Sequence, residues 1–149
     1  METIFLQSIK QGLRNGLETT FMLGKIIVPV YFFVTILSHT PVIDWIAALF
    51  EPVMNLFNIP GEAAIVLVMG NVVGLYAAIG AIQAMSLTSF EVLVVALMLN
   101  FSHALFMETA VIRQLNFSGV KTVLLRLSLM LLSGLIYGTL IGGMMQRWM

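Results

Sequence analysis

The apolar residues of this chain fall into long runs separated by short polar punctuation. Ile4, Leu6, Ile9, Leu13 and Leu17 recur at helical spacing with Lys10, Gln11, Arg14 and Asn15 between them. That pattern predicts an amphipathic helix lying on a membrane surface, basic residues toward the head groups. An apolar run from about Phe21 to Ser38 follows, close to the roughly 20 residues that a bilayer-spanning helix requires. Lys25 near its start is placed to snorkel, and Pro29 is expected to kink it.

From His39 to Asn58 the pattern changes. In the segment DWIAALFEPVMNLF, Trp45, Leu49, Val53 and Phe57 repeat at helical spacing; Asp44 is positioned to cap the helix and Pro52 to break it after two turns. A short helix that begins on Trp reads as interfacial. Then comes NIPGEAAIVLVMGNVVGLYAAIGAIQA, Asn58 to Ala84, which carries Pro60, Gly61 and Glu62 at one end, Gln83 at the other, and Gly70-Asn71 and Gly74 in its middle. Glycine takes left-handed angles freely and asparagine tolerates them, so the middle can turn. The stretch predicts a re-entrant hairpin of two half-helices with Glu62 in the first turn of one, where amide dipoles favour negative charge. The competing reading is one plain span whose Gly70 and Gly74 form a GxxxG contact face.

After a polar turn holding Ser86, Thr88 and Ser89, an apolar run from about Phe90 to Ile112 carries Asn100, Ser102, His103 and Glu108 in its second half. A basic loop with Arg113, Lys121 and Arg126 leads to a last run, about Leu127 to Met145, which ends on an Arg147-Trp148 interface anchor. Gly134, Gly138 and Gly142, four residues apart, form a face that another helix can approach closely.

The positions of Lys and Arg choose between the two topologies, because these residues favour the cytoplasmic side. If Glu62–Gln83 spans, the basic residues divide four against three. If it enters and leaves on one side, they divide six against one, Arg147 alone opposite the rest. The count favours a hairpin, three spans and a cytoplasmic N-terminus.

Composition agrees with burial in lipid. Of 149 residues, 60% are hydrophobic and only 9% charged, against about a quarter charged in soluble domains. Net charge is zero, which gives no support for nucleic-acid binding through a basic surface. There is no cysteine, so disulfides, thiolate nucleophiles and zinc-thiolate sites are excluded together. The first twenty residues lack the compact apolar core of a cleavable signal peptide, and the N-terminus is expected to be retained. No GxSxG, Walker A or HExxH motif and no paired-carboxylate spacing occurs, so no enzyme, cofactor or metal site is expected.

His103 and Glu108 are the ionisable groups placed deepest in an apolar run, and burying such a group costs several kcal/mol unless it is paired or hydrated. On an unbroken helix they lie about 140° apart and cannot share a face. Either the helix breaks between Ser102 and Glu108 or the two serve different places. The plainer alternative pairs Glu108 with Arg113 or water at a helix end. The plainer readings make Glu62 a carboxylate favoured at a helix start, Asn71 and Gln83 tip and cap residues, and Asn100 and Ser102 interhelical hydrogen-bonders. The 11 Met residues read as packing. A short echo between Glu62-Ala63-Ala64 and Glu108-Thr109-Ala110 hints at two related halves with one carboxylate each.

Asp44-Trp45 through Glu51-Pro52-Val53-Met54, followed by Ile59-Pro60-Gly61-Glu62-Ala63-Ala64, resembles the nucleoside-recognition or Gate domain. That family includes the membrane gates of ferrous iron transport protein B, the spore maturation proteins A and B, and part of the concentrative nucleoside transporters. The resemblance, closest to the short spore maturation protein B type, covers about Thr20 to Gly119 and implies a role in solute transport. It matches Gly61 and Glu62, at a compressed spacing, to a Gly-x-x-Glu hairpin start that contributes to the nucleoside transporters' substrate site. Their protomers hold two hairpins and further helices, so the resemblance implies pairing with a second copy or a sister Gate subunit.

Together these readings set the expectations: one all-α integral membrane domain of about three transmembrane helices, a re-entrant hairpin and interfacial helices, multi-pass in the inner (plasma) membrane. The expected function is that of a subunit of an oligomeric secondary transporter for a nucleoside-like solute or organic anion, coupled to H+ or Na+. Gly61, Glu62, Asn71, Asn100, Ser102, His103 and Glu108 are its expected substrate-binding residues. A non-transporting membrane assembly or maturation subunit is the alternative.

Overall fold

The computed structural model describes residues 2–148, with side chains for 7–37, 39–140 and 142. Among the described residues every regular element is a helix: α1 Glu2–Ser38, α2 Pro41–Met54, a 3-10 turn Asn55–Phe57, α3 Ala63–Val72, α4 Leu75–Ala84, α5 Ser89–Ser102, α6 Leu105–Gln114 and α7 Gly119–Trp148. Among the described residues three stretches are long and apolar enough to cross a membrane: Gln7–Leu37, Ser89–Gln114 and Gly119–Leu140.

Several boundaries differ from the sequence reading. The amphipathic N-terminal segment and the first span are one continuous 37-residue helix that passes through Pro29, with no separate surface helix before it. Thr40, not Asp44, is the N-cap residue of α2, because Pro41 at the first helical position has no amide to satisfy; Asp44 sits inside the first turn. Pro52 does not stop α2, which runs on to Met54 and tightens into the 3-10 turn. Gly70-Asn71 lie within α3, and the interruption comes at Val73-Gly74, where Gly74 has φ of 133°. At that angle a side chain would be strained, so the turn requires glycine.

α5 begins with a capping box. The Thr88 hydroxyl accepts from the Glu91 amide at 3.3 Å, and the Thr88 amide donates to the Glu91 carboxylate at 2.6 Å. α7 starts at Gly119, two turns earlier than the apolar run alone predicts, which brings Arg126 inside the third span.

The core is built around α3. Ala63, Ala64, Ile65, Val66 and Leu67 are all buried, against Ile43 and Met54 of α2, Ala78 and Ala81 of α4, and Val94, Val95, Met98 and Leu99 of α5. Elsewhere large apolar side chains point outward: Trp45 is 83% exposed and Phe21 70%. An exposed apolar surface of this extent is covered by lipid.

The glycines spaced four apart on α7 serve the chain's own packing. Gly134 lies against Met98 and Phe57, Gly138 against the Phe57 backbone, and Gly142 against both Phe90 and Asn58. Asn58 Nδ2 also donates to the Gly138 carbonyl at 3.0 Å. The residues before α3 and at the start of α5 therefore meet at one glycine near the end of α7. The last turn of α3 lies elsewhere, with Asn71 Nδ2 3.9 Å from Met130 Sδ in the middle of α7.

Candidate functional site

Two helix interruptions meet beside the middle of α7. α5 ends at Ser102; His103 is extended, Ala104 is left-handed (φ 51°, ψ 40°), and α6 starts at Leu105. No glycine or proline marks this break in the sequence. A non-glycine residue in that conformation costs about 1–2 kcal/mol, which neighbouring contacts must offset. One of these is the Ala104 amide, which donates to the Gly70 carbonyl at 2.8 Å and ties the break to the last turn of α3.

The other is Arg126. Its Nε donates to the Phe101 carbonyl at 2.7 Å and one terminal nitrogen donates to the His103 carbonyl at 3.2 Å. Both carbonyls lie at the end of α5, where backbone acceptors have no partner within the helix and the dipole favours a cation. The remaining terminal nitrogen pairs with Glu108 Oε2. The side chain of Arg126 is only 14% exposed. Its planar fork is what lets one side chain hold three acceptors around a broken helix.

Glu108 Oε1 lies 3.4 Å from His103 Nε2, while His103 Nδ1 faces the Leu99 carbonyl at 3.0 Å. A carbonyl only accepts, so the proton of a neutral imidazole belongs on Nδ1. Nε2 then has no proton for an ionised carboxylate. The 3.4 Å contact with Glu108 is an ion pair when His103 carries a second proton. The helix break thus joins two groups that a continuous helix would hold apart.

Around this cluster two buried polar atoms lack a hydrogen-bond partner, Asn71 Oδ1 on α3 and Thr109 Oγ1 on α6. Asn71 is held by its Nδ2, which donates to the Leu67 carbonyl at 2.7 Å. Ser102 is fully buried and its hydroxyl donates to the Met98 carbonyl at 3.2 Å.

The expected site residues thus divide into groups. Asn71, Ser102, His103 and Glu108 cluster at the two interruptions; Asn100 lies on the exposed side of α5. Gly61 and Glu62 lie before α3, about 14 Å along the helix axis from Asn71. Gly61 is buried against the Ala47 backbone, where a Cβ would overlap the carbonyl oxygen. Glu62 and Glu108 do not meet, and Glu108 pairs with Arg126, not Arg113. Arg126 itself, read from sequence as a loop residue, is central. The signal was available: Val123, Leu124 and Leu125 precede it and Leu127 follows, an environment in which a lone arginine demands partners. Among the described residues no group of three or more His, Cys, Asp or Glu is arranged to hold a metal ion.

The model of the Gate family, described as nucleoside recognition, matches residues 20–146. The chain belongs to that family. The membrane protein YvoD of Bacillus subtilis (strain 168) is 50% identical to this Gate chain over 111 residues, which are 74% of this chain and 34% of YvoD. The inner membrane protein YjiG of Escherichia coli (strain K12) is 34% identical over 95 residues, 59% of this chain and 61% of YjiG. The Gate chain therefore spans about a third of the first relative's length and about three fifths of the second's. No solved structure matches it significantly.

Proposed function

We propose that this Gate protein is a subunit of an oligomeric secondary transporter for a small solute, nucleoside-like or an organic anion, with α3 and α4 as a re-entrant hairpin. The observation that carries the reading is the meeting of two interrupted helices at Ala104 and Gly70, with Asn71, His103, Glu108 and Arg126 around it. Interrupted backbone at membrane depth is tolerated where it is buried or lines a wet cavity, and secondary transporters bind solutes at such places.

The hairpin placement is supported by the contacts with α7. Asn58 and Phe90 flank the same Gly142, so the entry to α3 and the exit from α4 lie near one end of that helix, while Asn71 reaches Met130 in its middle. With that topology Lys10, Arg14, Lys25, Arg113 and Lys121 share a side and Arg147 lies opposite, which supports a cytoplasmic N-terminus. The name of the Escherichia coli relative supports an inner-membrane location. The 3.4 Å approach of His103 Nε2 to Glu108 Oε1 supports H+ as the coupling ion, with Glu108 as its carrier.

A second reading, a non-transporting assembly subunit, is favoured by one feature: both oxygens of Glu108 already have partners within the chain. Uptake into proteoliposomes separates the two. Labelled uridine and succinate are offered under an inward proton gradient. Glu108→Gln is expected to lower initial uptake of the transported probe by about tenfold or more, whereas Glu62→Gln keeps most of it. A folded Glu108→Gln protein with unchanged uptake overturns the role of Glu108. Absence of uptake and of thermal stabilisation by either probe favours the assembly role.

A further inference from the structure

Asn100 stands near the middle of the broken span. It lies about 17 Å along α5 from Ser89, and the hydrocarbon core is about 30 Å thick. Its side chain is exposed on the outer face of the helix and makes no hydrogen bond among the described residues. A side-chain amide carries two donors and an acceptor, and leaving all of them against hydrocarbon is costly. Asparagine is too short to reach the head groups from that depth, as a lysine or arginine can. Lipid alone is therefore not what covers this face.

Asn100 also belongs to a seam. Ser89, Leu93, Ala96, Asn100 and His103 follow one another at spacings of four, three, four and three, and fall within an arc of about 80°. The first four are exposed, and the His103 side chain is 35% exposed. Val94, Val95, Met98 and Leu99, on the other side of α5, are buried in the core, so the seam points away from the chain's own fold. Its spacing is that with which one helix packs along another, and Ser89 and Ala96 are small enough for close approach.

We infer that this seam packs against the same seam of a second copy of the chain, with the two Asn100 amides hydrogen-bonded to each other. The inference rests on the oligomer proposed above and names its contact. An amide both donates and accepts, so it satisfies its own copy across a twofold axis, which a carboxylate or an ammonium cannot do. Copies inserted under one charge bias share an orientation. A parallel pair then sets each seam residue level with its counterpart, as an Asn100 pair requires, and a single asparagine in such a seam fixes the register. Because the seam ends on His103, the second copy stands beside the His103–Glu108 pair and keeps hydrocarbon from it. The polar cluster is incomplete without that copy.

The absence of cysteine makes the test direct. Ala96→Cys, on the seam, and Leu132→Cys, 53% exposed on α7, are reconstituted as full-length protein in vesicles and oxidised. Ala96→Cys is expected to give a covalent species of twice the chain mass in at least about fivefold higher yield than Leu132→Cys. Adding Asn100→Leu to Ala96→Cys is expected to lower that yield about threefold or more, whereas Asn100→Gln, which keeps the amide, retains most of it. Both substitutions lie outside the core, so the melting temperature is expected to be kept. Equal cross-linking at the two positions, or no effect of Asn100→Leu, overturns the pairing. Uptake measured on the same vesicles separates the two readings: cross-linking at Ala96→Cys without uptake upholds the pair and counts against transport, and uptake without that cross-link overturns the pair alone.

Discussion

The amide of Ala104 donates to the carbonyl of Gly70 at 2.8 Å, joining the broken span α5–α6 to the last turn of α3. Each partner sits beside an interruption: Ala104 is left-handed at φ 51°, and Gly70 lies a turn before Gly74 at φ 133°. The bond satisfies an amide at the start of α6 and fixes one break against the other.

Substitutions at Ala104 test that bond. Ala104→Pro removes the amide and cannot adopt a positive φ, so it is expected to cost about 3 kcal/mol. Ala104→Gly keeps the amide and relieves the left-handed strain, with a gain of up to about 1 kcal/mol. Thermal unfolding in detergent, followed by tryptophan fluorescence, should rank glycine at or above alanine and proline well below. Any other order contradicts this account of the break.

Removing Arg126 takes the arginine partner from Glu108 and frees the carbonyls of Phe101 and His103. Arg126→Ala is expected to cost about 2 kcal/mol, chiefly from the freed carbonyls. Arg126→Lys should fall between, because an ammonium cannot reproduce the planar three-way fork. Combining Arg126→Ala with Glu108→Gln should recover part of the loss, since no carboxylate is then left without its arginine partner. Strict additivity of the two substitutions would show that the pair does not interact.

Glycine-to-alanine substitutions should separate by what surrounds each position. At Gly61 and Gly138 the new methyl meets backbone, the carbonyls of Ala47 and Phe57, which cannot step aside without moving a helix. A cost of at least about 2 kcal/mol is expected at each. At Gly70 the neighbour is the Leu99 side chain, which can rotate, so the cost should be smaller. At Gly12 nothing lies within 4 Å, and alanine should stabilise the helix by up to about 1 kcal/mol. Melting curves of the four variants give the order.

Much of the fold was legible because the bilayer simplifies it. Runs of apolar residues of membrane length located the three spans, and Gly74 and its neighbours marked the short-helix pair. The resemblance at Asp44–Ala64 gave the family that the match over residues 20–146 shows. Helix ends were less legible. Pro52 reads as a breaker, yet it sits in the last turn of α2, and a proline within α1 left that helix continuous. The break at Ala104 had no local signal, because nothing in Ser102-His103-Ala104 forbids a helix.

The sequence by itself determined that this chain is a helical membrane protein of the Gate type, because hydropathy and glycine placement act over short stretches and need no partners. Which polar residues meet was decided only by the tertiary structure. Arg126 sits 18 residues from Glu108 and 25 from Phe101, and what brings them together is the antiparallel packing of α7 on α5 and α6. The break at Ala104 is tied to Gly70, 34 residues away, whose carbonyl accepts from its amide. Long-range hydrogen bonds of this kind leave no period in a sequence; they follow from which helices pack, and only the folded chain fixes that.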